Sequence, residues 1–199
     1  MKRVAVLASG RGSNLGALLA AADRLGSYAV VAVVSNVAGA PVLALARDAG
    51  VEAIEIPSRG CSRENHEALL LGELQTRAID ILCLAGYMRV LSPGFVRACG
   101  VPVLNIHPSL LPAFPGMHAQ KQALEYGVRV SGATVHLVDE GLDSGPIILQ
   151  EAVAVLPGDT ESDLSARILE VEHRLYPKAL DLLARGRLEI DGRRVRLAT

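Results

Sequence analysis

The sequence predicts an α/β protein: one doubly wound, mainly parallel sheet with antiparallel strands towards the C-terminus. Three observations lead there. Short runs that are apolar throughout alternate with helical patterns over the first half, as strands covered on both faces require. Half of the 199 residues are apolar but only 3% are aromatic, so the core must be Ala, Val, Leu and Ile, and the length suffices to bury it in one domain. Late in the chain two long strand-like segments, 132–138 and 146–155, follow one another and read as a pair.

Each element has its own signal. Residues 3–8, 29–34, 52–56 and 80–85 read as strands, separated by helices over 14–25, 41–49 and 62–77, the last with Ser62 as a cap. Right-handed crossovers between such strands give the doubly wound topology. Ser92-Pro93 starts a short helix, with Ser as cap and Pro in the first turn. Residues 101–106 form a strand, three prolines make 108–116 an irregular loop, and 117–126 is a helix. Pro146 assigns the second late strand to a sheet edge. Thr160-Glu161-Ser162-Asp163 is a capping box with Asp in the usual Glu place, and Pro177 is expected to break or kink the helix that follows before Ala184. Asp191-Gly192 between 187–190 and 193–197 signals a hairpin.

Composition removes several function classes. Twenty basic against twenty-one acidic residues give a net charge of −1, which argues against a nucleic-acid binder. Cys61, Cys83 and Cys99 lack CxxC spacing and cannot all pair, so a reducing, cytoplasmic setting is expected. The start MKRVAVLASGRG is basic, but its apolar run breaks at Gly10, too early for a signal peptide. No run approaches the roughly 18 consecutive apolar residues of a membrane span.

The first strand runs into Ser9-Gly10-Arg11-Gly12-Ser13-Asn14-Leu15. Such a loop turns backbone N–H groups inward and adds the positive end of the next helix, which suits a phosphate. A dinucleotide fingerprint would place glycine where Leu15 stands and an acidic residue after the second strand, which ends Ser35-Asn36. No Gly-Lys-Ser/Thr of a Walker loop is present, so a monophosphate fits better than NAD or ATP. A tight strand-to-helix turn with no ligand would use the same glycines.

The densest cluster of chemistry is Asn105-Ile106-His107-Pro108. Asn105 and His107 lie two apart at a strand end and so share a face, at the carboxyl edge where open α/β sheets bind ligands. An amide and an imidazole aimed at one point can hold an oxyanion and move a proton. A strand-end His that caps a loop is the bland alternative. Asp143, flanked by Gly141 and Gly145, sits in a turn from which its carboxylate could orient His107 and favour the charged ring; a turn-forming Asp is the alternative there. His118 opens a helix after the proline loop and is a weaker candidate. His136 shares a strand face with Thr134 and faces either the site or solvent. His66 and His173 lie in charged helices and are expected on the surface. No HxxxH or HExxH spacing occurs, so no metal is expected. No GxSxG elbow is present either, which counts against a Ser-His-Asp hydrolase.

Taken together, ASGRGSNLGALL, AGYMRVLSP, LNIHPSLLPAFPG and ATVHLVDEGLDSGPIILQ, in that order, resemble the glycinamide ribonucleotide formyltransferases of purine biosynthesis over nearly the whole chain. The segment 105–115 marks folate-linked formyl transfer as a class, and GRGSNL narrows it to this substrate. The resemblance implies transfer of a formyl group from 10-formyltetrahydrofolate, as co-substrate, to the amine of glycinamide ribonucleotide, without a metal. It implies that Gly12, Ser13 and Asn14 hold the substrate phosphate and that Asn105, His107 and Asp143 are the catalytic trio. It also implies that Met88, Arg89, Val90 and Leu91 line the pteridine pocket together with Val138, Asp139, Glu140, Gly141 and Leu142. Arg63 matches an arginine associated with the folate, and Glu172 a glutamate that contacts the amino-substrate. The chain then reads as a single formyltransferase domain, with a phosphate-binding half over 1–100 and a catalytic and folate half over 101–199, acting as a monomer or homodimer. The sequence departs from relatives at Gln120 and Lys121, where they can carry His and Arg, and at Leu169, where a polar residue is often seen.

Methionyl-tRNA formyltransferases share the Asn-His-Asp pattern but carry a C-terminal RNA-binding domain, which is not expected here. Formyltetrahydrofolate hydrolases carry an extra N-terminal domain, whereas the first strand here begins at Arg3. A non-catalytic nucleotide-binding module, with His107 structural, is the remaining alternative.

Overall fold

Val4, Ala5, Val6, Leu7 and Ala8 are almost wholly removed from solvent, which makes β1 (Lys2–Leu7) an interior strand. The computed structural model, which describes residues 1–198, divides into two compact units, Met1–Leu104 and a second that begins at Asn105. In the first unit β1 lies between β2 (Tyr28–Ser35) and β4 (Ile81–Leu84), both parallel to it. β3 (Glu52–Glu55) pairs parallel with the far side of β2, giving the order β3-β2-β1-β4.

The connecting helices are those the pattern predicts. In α1 (Ser13–Leu25), Leu15, Leu18 and Ala21 recur at helical spacing and are buried, and Gly26 closes the helix in a left-handed cap whose N–H returns to the Ala22 carbonyl. α2 (Pro41–Asp48) starts on a proline in its first turn. In α3 (Arg63–Thr76) Ser62 Oγ accepts from the Asn65 N–H, and in α4 (Pro93–Cys99) Ser92 Oγ accepts from the Phe95 N–H. One expectation fails on α3. His66 is fully buried rather than on the surface, because the inner face of the helix sets its ring against Tyr87, whose hydroxyl lies 2.6 Å from Nε2.

The chain enters the second unit within β5 (Val103–His107). There the order is β5-β6-β7, with β6 (Val130–Leu137) antiparallel to β7 (Ile147–Ala154) from Val130 opposite Ala154 to His136 opposite Ile147. β7 ends that order, in keeping with Pro146 at its start. α5 (Ala119–Tyr126) is followed by α6 (Glu161–Ala184), which packs on β6 and β7. Thr160 and Asp163 form the reciprocal capping box. Pro177, expected to break or kink α6, lies inside one continuous helix. A proline in a helix interior costs about 3 kcal/mol. Burial of Leu164, Ile168, Val171, Leu175, Tyr176 and Leu180 on the same helix outweighs that, at roughly 1.5–3 kcal/mol for each large apolar side chain. His173, also expected on the surface, is half-buried on this helix. β8 (Leu188–Asp191) and β9 (Arg194–Leu197) form the C-terminal hairpin as a separate sheet. The fold is therefore the doubly wound, mainly parallel α/β class expected, with β6 and β7 antiparallel.

Candidate active site

β5 alternates Asn105 and His107 with Ile106, and it stops where Pro108 removes a backbone donor. The loop that follows is heavily pinned. Ser109 Oγ donates to the Ala113 carbonyl (2.5 Å), and Thr134 Oγ1 donates to the Ser109 carbonyl (2.6 Å) while accepting from the Leu111 N–H (3.0 Å). Gln150 Nε2 donates to both Thr134 Oγ1 and the Leu111 carbonyl. This holds Phe114 in a left-handed backbone conformation (φ 53°) with its carbonyl 2.8 Å from His107 Nε2.

His107 Nδ1 faces Asp143 Oδ2 at 3.4 Å, with both side chains largely withdrawn from water. Both ring nitrogens thus face oxygen acceptors, an arrangement that the doubly protonated imidazolium satisfies. Asp143 itself is left-handed (φ 49°), a conformation that Asp tolerates better than most residues. Its Oδ2 accepts from the Gly116 N–H at 2.7 Å. Asp139 Oδ1 accepts from Ser144 Oγ (2.7 Å) and the Gly141 N–H (3.0 Å), which shapes the turn. Gly145 is needed for close approach: a Cβ there would sit 1.9 Å from the Leu137 carbonyl oxygen.

One residue of this cluster was only half legible in the sequence. His136 is buried beneath the trio, with Nδ1 2.9 Å from its neighbour's carbonyl at Leu137 and Nε2 3.1 Å from Asn105 Nδ2. A carbonyl only accepts, so Nδ1 carries the proton and Nε2 is left to accept from the Asn105 amide. Burial, before any other influence, pushes the His136 pKa below its ordinary value and keeps this ring neutral. Its other neighbour is Asp143 Oδ1 at 3.7 Å. The two-residue alternation with Thr134 was the signal that could have placed it here.

The remaining candidates distribute as follows. In the first unit Gly12 caps α1 at φ 84°, with Ser13 and Asn14 in the first helical turn and Asn14 buried. A Cβ on Gly12 would meet Val42 Cγ2 at 2.7 Å, so glycine is also a packing requirement there. Ser9, at the start of the same loop, accepts from the Met88 N–H at 2.8 Å and donates to Asn36 Oδ1 at 2.5 Å, joining this loop to the segment 88–91. Met88 and Val90 are exposed, Leu91 is half-buried, and Arg89 Nη1 donates to the Ser58 carbonyl. Arg63 is exposed as the first residue of α3. In the second unit Val138 and Asp139 are half-buried, Glu140, Gly141 and Leu142 are exposed, and Glu172 is buried on α6. His118 is exposed and left-handed before α5; Gln120 and Lys121 lie in that helix, and Leu169 is half-buried on α6. Among the described residues no group of three or more His, Cys, Asp or Glu side chains is placed to hold a metal ion.

Asn105, His107, His136 and Asp143 combine an amide donor, two imidazoles and a carboxylate, a set able to stabilise an oxyanion and carry a proton without a protein nucleophile. Comparison with known proteins shows the family of the chain. A family model described as formyl transferase matches residues 2–180. A phosphoribosylglycinamide formyltransferase of Escherichia coli is 44% identical over 201 residues, covering 96% of this chain and 95% of that protein. A trifunctional purine biosynthetic protein adenosine-3 of Drosophila pseudoobscura pseudoobscura is 52% identical over 191 residues, covering 94% of this chain; the chain spans only 14% of that relative's length. Among solved structures, glycinamide ribonucleotide transformylase 1 from Symbiobacterium toebii matches with a TM-score of 0.95 and 51% identity, covering 100% of this chain and 95% of that one.

Proposed function

We propose, because the chain belongs to the formyl transferase family, that it transfers the formyl group of 10-formyltetrahydrofolate to the amine of glycinamide ribonucleotide, yielding formylglycinamide ribonucleotide and tetrahydrofolate. The observation that carries this reading is the group of Asn105, His107, His136 and Asp143, linked at 3.1–3.7 Å with both histidines buried. The folate co-substrate supplies the formyl carbon. The chain supplies the field around it. One Asn105 amide N–H is taken by His136, and the second donates to the oxygen on which negative charge develops. The His107 cation adds positive charge in a site where preorganised donors are each worth about 3–4 kcal/mol. The bond from formyl carbon to the substrate amine forms, the bond to N10 breaks, one proton leaves the amine and one joins N10. Asp143, 3.4 Å from His107 Nδ1, orients that ring and holds the proton in passage, directly or through a water.

The chain is one formyltransferase domain, with binding residues assigned within each unit. Gly12, Ser13 and Asn14 hold the substrate phosphate, supported by a glycine-capped helix start, whose N-terminus favours an anion. Met88 to Leu91, with Arg63 and the loop 138–142, bind the folate; the exposed apolar side chains of Met88 and Val90 support this. Glu172 contacts the amino-substrate. The protein works in the cytoplasm as a monomer or homodimer. Free thiols at Cys61, Cys83 and Cys99 fit a reducing compartment, and no helix among the described residues is long and apolar enough to cross a membrane.

The test is a transfer assay. Formyl-folate should disappear stoichiometrically only when the ribonucleotide amine is added, and formate plus ATP should not replace it. Consumption without the amine would reassign the site to hydrolysis.

A further inference from the structure

The first turn of α3 grips the segment 87–92 at both ends. At one end the His66 ring stacks on Tyr87 with centroids 6.5 Å apart and planes 13° from parallel, and Nε2 lies 2.6 Å from the Tyr87 hydroxyl. Burial lowers the His66 pKa, while burial pushes the Tyr87 phenol up to about 12, so the contact joins two neutral groups. At the other end Glu67, itself buried, accepts from the Ser92 backbone N–H at 2.7 Å and from Ser92 Oγ at 2.5 Å. Ser92 Oγ in turn caps α4. A buried carboxylate receiving two donors from one residue makes charge-assisted bonds, stronger than neutral ones.

Between these fixed points lie Met88, Arg89, Val90 and Leu91. Met88 and Val90 are 66% and 59% exposed, unusual for large apolar side chains in so short a stretch held at both ends. A flexible loop would fold them inward; a pinned one keeps them presented. These side-chain contacts of His66 and Glu67 all reach the segment 87–92 rather than α3 itself.

We propose that His66 and Glu67, acting through Tyr87 and Ser92, are positioning residues that preorganise the segment 88–91 as an apolar seat for the flat ring of the folate co-substrate. This rests on the assignment of 88–91 to folate binding given above. Preorganisation acts on affinity by removing the ordering cost at binding, so loss of the clamp shows in the folate KM and leaves turnover at saturation alone.

Tyr87→Phe keeps the stacked ring and removes one bond; Glu67→Gln keeps the size and weakens the other. Val90→Asp alters the seat itself. For each variant, kcat, the KM for 10-formyltetrahydrofolate, the KM for the ribonucleotide and the melting temperature are measured. The clamp predicts a folate KM raised about tenfold in Tyr87→Phe and Glu67→Gln, the scale of one lost buried hydrogen bond, with kcat and the ribonucleotide KM within about twofold. Val90→Asp raises the folate KM as well. If only Val90→Asp does so, the seat stands and the clamp is overturned. If none of the three does, the folate assignment of 88–91 falls, and the clamp with it. Equal losses for both ligands that track melting temperature would make the clamp purely structural and also overturn the proposal.

Discussion

Replacing Asp143 with Asn separates the charge of that residue from its shape. Asn accepts the left-handed backbone found at φ 49°, and its side-chain oxygen can still accept from the Gly116 N–H. What disappears is the negative charge 3.4 Å from His107 Nδ1. At an effective dielectric of ~20, Coulomb's law gives ~5 kcal/mol for a charge pair at that separation. If half of this acts in the transition state, the barrier rises by ~2.5 kcal/mol, or ~10²-fold in turnover at 1.36 kcal/mol per decade. The assay is kcat by formyl transfer, alongside equilibrium binding of each ligand and the melting temperature. The expected result is a kcat lowered ~10²-fold or more, with both ligands still bound and a melting temperature within a few degrees of the parent. Unchanged turnover would show that Asp143 shapes the turn and nothing more.

His107→Ala should lower turnover roughly 10²–10⁴-fold, the range for a positioned acid–base group, with folding retained; full turnover would remove His107 from the mechanism. Asn14→Ala should weaken ribonucleotide binding and leave formyl-folate binding nearly unchanged, by calorimetry with each ligand; equal weakening of both would contradict the phosphate assignment. Gly12→Ala should instead destabilise the fold by about 1–3 kcal/mol, since it forces a side chain into left-handed backbone and against Val42, read as a lower urea midpoint. His66→Phe tests linkage. Burial lowers the folded-state pKa of His66 from 6.5, so below that pH the unfolded chain takes up a proton that the folded one resists, and stability falls as pH falls. The urea midpoint should therefore drop more between pH 7.5 and 5.5 in the parent than in His66→Phe; equal drops would mean that His66 charges freely in the folded protein.

The first half of the fold was legible because β1, β2 and β4 are largely buried apolar runs that alternate with helices; Ser62 and Ser92 cap where their neighbours predicted. Pro177 misled because local propensity is overridden by the apolar face of α6, which is buried on both sides of the proline. His66 and His173 misled for a related reason. Their neighbours Glu67, Glu172 and Arg174 read as a solvated face, yet Glu67 and Glu172 are themselves buried. For Glu67 the paired donor lies 25 residues away at Ser92, which no local pattern encodes. In the site, Asn105 and His107 were visible from their two-residue spacing. His136 was not settled, because its role depends on a hydrogen bond to Asn105 across 31 residues. The fixing of Phe114 by Ser109 and Thr134 was invisible for the same reason: a loop with three prolines announces irregularity and not what pins it.

Transfer of the formyl group runs directly to an amine held by this chain, in the function proposed above. It is tested most directly by mixing the purified protein with 10-formyltetrahydrofolate and glycinamide ribonucleotide and following both products. Direct transfer yields one tetrahydrofolate and one formylated ribonucleotide per turnover, no tetrahydrofolate without the amine, and loss of both products together in Asp143→Asn. Release of formate in place of the formylated ribonucleotide, or equal activity without the ribonucleotide, would contradict it.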